Sequence, residues 1–385
     1  MVKSKHILRM EYPSITSLPS ISNIFAVLEN RDSADEWIYS NYIQLMSYKG
    51  TVNKDITFLH STFGFQHCPF LEIGRMTRKH ISSMTPSYKD FITKTISSDI
   101  YLLTAVNQKF LTGATANINN RDLYHPSAIY GYDLEKDLVY MADFTFEGTG
   151  KYTFKTFSFD DVEKSLSDKN IQEEDFYIVR YKKVDFMFDM NNVKRQFEDL
   201  YNSVNTYDRL DVFNEYMAMN KFGMDVYDDY INMLENWENW ILRKVTFCLL
   251  DHKKLMVQRL EYMVKKRFLK DDGIISDYRE IHNMVNKILM LSIKASAGGK
   301  NSSEECIRIA NDVREKERTV LGKIIKELNA QMKMLEMLEV LDLSNTRTEY
   351  DVDIKLQEYI IGSLIFIPLL ESAVSSNAGK RAAPE

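Results

Sequence analysis

The chain is poor in cysteine, with three in 385 residues: Cys68, Cys248 and Cys306. They are widely spaced and form neither a disulfide framework nor a CxxC pair of the zinc-binding kind, so a reducing, cytoplasmic setting is expected. Long apolar runs are also lacking. The most apolar stretch, YIIGSLIFIPLL (Tyr359–Leu370), is about half of the ~20 residues that a bilayer-spanning helix needs. It predicts a terminal helix over residues 346–374 that packs on the body, followed by a disordered tail at 375–385. The opening MVKSKHILRMEYPS carries basic residues but no apolar core of signal-peptide length. A basic excess is missing too: Lys and Arg number 49 against 55 Asp and Glu, for a net charge of −6. Such a surface is not built to neutralise phosphates, so neither a nucleic acid nor a membrane is expected as a partner. No Walker A loop and no GxGxxG run occurs, and no nucleotide cofactor is expected. His60, His67, Cys68 and His80 lie near one another in sequence but follow no ligand spacing such as HExxH, so no metal is expected either.

What is present is an ordinary globular balance, 27% charged and 44% hydrophobic, over a length that suits two modest domains. The chain changes character near residue 185. Before it, IYLLTAV (Ile100–Val106), SAIYGY (Ser127–Tyr132), LVYMAD (Leu138–Asp143), KYTFKTF (Lys151–Phe157) and FYIVRYKKV (Phe176–Val184) read as strands. SFDDVEKSL (Ser158–Leu166) reads as a capped helix with acids in its first turn. Beyond it the apolar period becomes about 3.6, predicting helices over Asn192–Asn205, Gly223–Phe247, His252–Leu269, Ser276–Ser296 and Ser302–Leu341. The expectation is therefore an α+β chain: an α/β domain with an antiparallel sheet over 1–185, then an all-α helical bundle over 186–345.

One segment could carry chemistry. HPSAIYGYDLEKDLVYMADF, from His125 to Phe144, places two strands around the turn-forming stretch Asp133–Asp137, which is a hairpin signal. A turn centred near Leu134 sets His125 opposite Asp143. Directly paired residues have Cβ atoms roughly 4.5–5.5 Å apart, close enough for a carboxylate to orient an imidazole and stabilise its protonated form. The plainer reading makes both of them ordinary surface residues, and a register error of one residue would separate their faces.

With these residues the sequence resembles the butirosin-biosynthesis acyltransferase family. HPSAIYGYD, a short turn and VYMADF are similar to the histidine and aspartate segments of papain-like enzymes, including the bacteriocin-leader peptidases. SYKDFITKTIS (Ser87–Ser97) leads into DIYLLTAVNQKFL (Asp99–Leu111) in the family's order, with Asn107 where an aspartate is common. DYINMLENWENWI through LLDHKKLMVQRLEYM (Asp228–Met263) resembles the family's helical half. The resemblance covers roughly residues 15–330, and the order of the motifs is its most specific feature. It implies a papain-like N-terminal domain and an acyltransferase-like role in natural-product biosynthesis of the nonribosomal peptide type. An acyl group would pass from a carrier-protein thioester to an amine. It also implies an acyl or peptidyl carrier protein, or another biosynthetic enzyme, as partner, and a homodimer through the helical half is a further expectation.

Carried over by residue, His125 matches the base and Asp143 its orienter. The nucleophile does not carry over: the stretch that matches the family's cysteine segment, SLPSISNIFAVLEN (Ser17–Asn30), has no cysteine. Ser20 stands nearest the matching place, with Ser22 beside it, and serine is also a favoured helix N-cap. Cys68, ahead of a helix expected over Phe70–Ile81, is a second candidate, with a buried structural role as its alternative. A catalytically inactive papain-fold binding protein is the other functional reading. Lys253, Lys254, Lys265, Lys266 and Arg267 read as a solvated face or as a dock for a carrier protein, and His252 as a helix-opening residue.

Overall fold

The computed structural model describes residues 3–31, 33–49, 54–59, 68–171, 175–209, 220–237, 239–270, 273–298 and 302–345. The expected terminal helix at 346–374 and tail at 375–385 lie outside the described residues. The elements run, in chain order, β1 (Lys5–Ile7), α1 (Pro19–Leu28), α2 (Ala34–Asn41), β2 (Leu45–Lys49), β3 (Lys54–Phe58), β4 (Leu71–Met76), α3 (Arg78–Met84), α4 (Tyr88–Ile96) and β5 (Ile100–Asn107). They continue with α5 (Thr115–Ile118), β6 (Tyr124–Asp133), β7 (Leu138–Asp143), β8 (Thr153–Ser158), α6 (Phe159–Leu166), β9 (Phe176–Tyr181) and α7 (Met190–Asn202). The last are β10 (Lys221–Phe222), α8 (Val226–Asn236), α9 (Asn239–Lys265), α10 (Ile274–Ser296) and α11 (Ser303–Asn345). The chain is thus α+β, with an antiparallel sheet in its N-terminal half and helices in its C-terminal half. Among the described residues no helix is long and apolar enough to cross a membrane.

The chain divides into two compact units, Met1–Ile38 with Thr57–Phe186, and Tyr39–Ile56 with Met187–Glu385. A single boundary at 185/186 would leave residues 39–56 with the first domain; they belong to the second unit.

In the first unit the strand order is β4-β9-β5-β6-β7-β8, with β1 also paired to β6. Its central strands β5, β6 and β7 are buried along most of their length, as strands covered on both faces are, and its helices are punctuated by side-chain caps. The Ser87 hydroxyl accepts from the Asp90 N–H at 3.1 Å to start α4, and Ser158 does the same for Asp161 at 3.1 Å to start α6. Phe159, Val162, Ser165 and Leu166 form the buried face of α6, a helical spacing of three and four. The expected helix over Phe70–Ile81 is instead a strand followed by a short helix. Leu71, Ile73 and Arg75 pair with Tyr181, Val179 and Tyr177 of β9, and only after Thr77 caps the chain does α3 begin. Gly74 explains why a strand wins here: a Cβ at this position would meet Ile178 Cγ1 at 2.8 Å, so its missing side chain lets β9 approach.

The second unit holds the small sheet β10-β2-β3 and the long helices. α9 runs unbroken through Asp251, His252 and Lys253, where two helices were expected; the break comes earlier, at Trp237, which is left-handed with φ 47°. His252 therefore lies within a helix and does not open one. Lys253 also departs from expectation: its side chain is fully buried, not part of a solvated face. Its ammonium donates to both carboxylate oxygens of Glu317, at 2.6 and 2.7 Å, and lies 3.0 Å from His252 Nδ1. The Tyr227 and Tyr278 hydroxyls donate to the same carboxylate at 2.7 and 3.1 Å. His252 Nε2 contacts the Ile43 carbonyl at 2.8 Å, and Arg259 donates to the carbonyls of Tyr39 and Tyr42 at 2.6 and 2.7 Å. With Asn192 and Gln196 of α7, which donate to the Ser40 carbonyl at 3.0 and 2.7 Å, side chains of α7 and α9 thereby hold the carbonyls at and just past the end of α2, among them groups that a helix C-terminus leaves without partners.

Two outcomes follow from this buried network. Lys253→Met leaves the Glu317 charge without its cation and is expected to cost on the order of 3 kcal/mol, because breaking one side of a buried pair exceeds the worth of the pair; the double change Lys253→Met with Glu317→Leu recovers much of that loss, as measured by denaturant unfolding. Burial, followed by the neighbouring Lys253 charge, holds the His252 imidazole well below its ordinary range. It stays neutral in the fold while the unfolded chain takes up a proton near pH 6.5. Stability is then full above pH 6.5 and falls below it by up to about 1.4 kcal/mol per pH unit. Denaturation series at pH 7 and pH 5.5 check this, and His252→Gln is expected to flatten the slope.

Candidate functional site

His125 is the second residue of β6 and pairs with Val106 of β5, while Tyr124 pairs with Asn107. On its other side β6 meets β7 as a hairpin, but not in the expected register. Near the turn, Asp133 pairs with Leu138 and Gly131 with Tyr140; further along, Ile129 pairs with Met141 and Ala128 with Ala142. Tyr130 is the extra residue of a β-bulge. Continued by one residue, this ladder sets Ser127, not His125, against Asp143. Side chains alternate along a strand, so Ser127 and His125 share the face of Asp143. Without the bulge, the register near the turn would have put Asp143 on the opposite face from both.

His125 reaches Asp143 diagonally. Its Nδ1 lies 2.7 Å from Asp143 Oδ1, with the carboxylate side chain fully buried and the imidazole 20% exposed. The ring N–H is not aligned well enough with that oxygen for a directional hydrogen bond, so close charge–dipole attraction holds the two together. Asp143 has its own support. Oδ1 accepts from the backbone N–H of Phe144, from the Thr145 N–H at 3.2 Å and from the Thr145 hydroxyl at 3.1 Å. Oδ2 accepts from Gln108 Nε2 at 3.0 Å and from the Ser127 hydroxyl. The carboxylate is thus fixed by its surroundings and the imidazole turns toward it. A carboxylate facing Nδ1 favours the tautomer with its proton there and leaves Nε2 as the basic nitrogen.

Gln108, Ser127 and Thr145 are site residues that the sequence reading missed. Ser127 had a signal, two positions from His125 on a strand; Gln108, from the turn after β5, had none. Gln108 Nε2 also donates to the Thr145 hydroxyl at 2.6 Å, and its neighbour Asn107 is fully buried and donates to Asp122 at 2.8 Å and Asp168 at 2.5 Å.

The candidate nucleophiles are less favourably placed. Helix α1 has Leu18 at its N-cap position, with no side-chain cap, and Pro19 in its first turn. Ser20 is therefore within the helix and is not its N-cap; its side chain lies outside the described residues. Ser22 is fully buried and its hydroxyl donates back to the Leu18 carbonyl at 2.8 Å. Cys68 precedes β4 and not a helix, and burial pushes its thiol up to about 12, which suits an inert structural cysteine. His80 is exposed beside the Thr77 hydroxyl; His60 and His67 lie outside the described residues.

Helix α1 packs against β6 and β7, the hairpin that carries the histidine and the aspartate. Asn23 on α1 is buried, and its Oδ1 accepts from the Tyr152 hydroxyl at 2.8 Å. The Tyr152 ring is packed by Phe144, Phe154 and Tyr12, with centroids 5.0, 5.5 and 6.3 Å away. Burial, then the Asp143 charge, holds its phenol well above the ordinary tyrosine range.

Asp143→Ala orphans buried donors on Gln108, Phe144 and Thr145 together, and is expected to cost about 3 kcal/mol. His125→Ala should cost about 1 kcal/mol or less, because Asp143 keeps its other donors. Denaturant unfolding of the two variants measures the difference. A scan against protein-family models finds no match for this chain, and a search of curated proteins finds none either.

Proposed function

We propose that the chain is an acyltransferase-like protein with a papain-like N-terminal domain, passing an acyl group from a carrier-protein thioester to an amine in biosynthesis of the nonribosomal peptide type. The observation that carries this reading is the 2.7 Å approach of His125 to a buried Asp143 whose remaining acceptor sites are filled. In the proposed reaction His125 Nε2 accepts the proton of the attacking amine. The amine nitrogen bonds to the thioester carbon, the C–S bond breaks, and the departing sulfur takes the proton back from the imidazolium, which Asp143 stabilises meanwhile. A two-step route would pass the acyl group through Ser20.

A second reading has its own observation: Ser17–Asn30 contains no cysteine, and Cys68, Cys248 and Cys306 are all buried. A papain-fold protein without its nucleophile would bind a carrier protein or another biosynthetic enzyme without turning it over.

Incubation with an acyl-loaded carrier protein and an amine acceptor decides between them. For the enzyme, N-acylated product forms, and His125→Ala slows it by roughly 10²–10⁴-fold. An acyl adduct on the protein, seen by intact mass and lost in Ser20→Ala, marks the two-step route; product without an adduct marks direct attack. Equal capture of the carrier by wild type and His125→Ala, with no product, is the result for a binding protein.

A further inference from the structure

We infer that Asn23 is the side-chain donor for the acyl carbonyl oxygen, and that Tyr152 fixes its amide for that task. The inference rests on the acyl-transfer reading and adds the group which that reading lacks: a donor where negative charge develops. No glutamine precedes the α1 segment to supply one.

The argument begins with the phenol. Tyr152 is buried within an aromatic cluster, and its hydroxyl keeps its proton, so that proton needs an acceptor. Among the described residues the acceptor is Asn23 Oδ1, at 2.8 Å. A carboxamide has an oxygen end and a nitrogen end. With the oxygen committed to a phenolic proton, the amide cannot flip without leaving the buried Tyr152 proton with no acceptor among the described residues. Its NH₂ is therefore aimed away from Tyr152, and it has no hydrogen-bond partner among the described residues.

Its placement matches the role. Asn23 lies one turn beyond Ser20 on α1, and residues three apart share a helix face. That helix packs on the two strands bearing His125 and Asp143. Phe144, the residue after Asp143, lies against the Tyr152 ring at 5.0 Å. The chain of contacts from orienter to amide is thus Asp143, Phe144, Tyr152, Asn23. When the amine bonds to the thioester carbon, the C=O π pair moves onto oxygen. The Asn23 N–H donates to that oxyanion until the C–S bond breaks and the carbonyl re-forms. A donor fixed before the reaction needs no reorganisation as charge appears, and such a donor acts on the transition state more than on the bound substrate.

The test measures transfer from acyl-loaded carrier protein to an amine by the 385-residue chain, with kcat and KM separated and with circular dichroism and thermal melting as folding controls. Asn23→Ala is expected to lower kcat by roughly 10²–10³-fold, the cost of losing one oxyanion donor, with KM and fold retained. Tyr152→Phe removes one hydroxyl and frees the amide to rotate; its kcat is expected to fall to an intermediate value, again at constant KM. If Asn23→Ala fails to fold, Tyr152→Phe decides alone. Wild-type kcat in both variants, while His125→Ala is inactive, overturns the Asn23 assignment and leaves the acyl-transfer reading standing. A wild-type protein that transfers nothing overturns both.

Discussion

A buried carboxylate must find hydrogen-bond donors, and the first unit is arranged around that requirement at Asp143. Removing a charge from water costs several kcal/mol unless its lone pairs are occupied. Here the donors come from four places: the strand beside it through Ser127, the turn after β5 through Gln108, the backbone that follows it, and Thr145. His125 is an addition to a site that is already saturated. That ordering has a chemical use, because an orienter that does not depend on the imidazole for its own position can hold the imidazole in place.

The second unit meets the same cost with a different composition. There a lysine, a glutamate, two tyrosines and a histidine satisfy one another with no exposed edge. Nothing in that network is left over to act on a ligand; its polar capacity is spent on a cation, a carboxylate and the carbonyls at the end of α2. The contrast separates a structural polar cluster from a candidate site. The network around Lys253 closes on itself, whereas the one around Asp143 ends in an imidazole that is partly exposed.

The hairpin, its two ends and the capped helix α6 were legible in the sequence because local rules decide them: strand-forming composition, turn residues and a serine cap. The shared face of His125 and Asp143 was reached from an incorrect register: the pairing near the turn would have separated their faces, and the one-residue bulge at Tyr130 inverts that parity and brings them together. A bulge has no reliable sequence signal. Cys68 and the segment after it were misread because Phe70, Leu71 and Ile73 fit a helix face or a strand equally well until a partner strand is known, and β9 lies about a hundred residues later. Lys253 was misread for a related reason: helical periodicity reports only the chain's own face, and the Glu317 that justifies its burial is 64 residues away. Gln108 and the Asn23–Tyr152 pair are likewise products of long-range assembly.

The interrupted make-up of the two units bears on how the chain is made. Tyr39–Ile56 leaves the ribosome early, yet it belongs with Met187–Glu385. Its partners for Tyr39, Tyr42 and Ile43 are His252 and Arg259, so this stretch must wait through the synthesis of some two hundred further residues before its carbonyls are covered. During vectorial synthesis the N-terminal body can gather its strands once β9 has emerged, while the waiting stretch remains an open loop within it. The C-terminal half cloned by itself does not encode a finished body, since a gene fragment beginning at Met187 would lack the strand and carbonyls that its helices are built to receive.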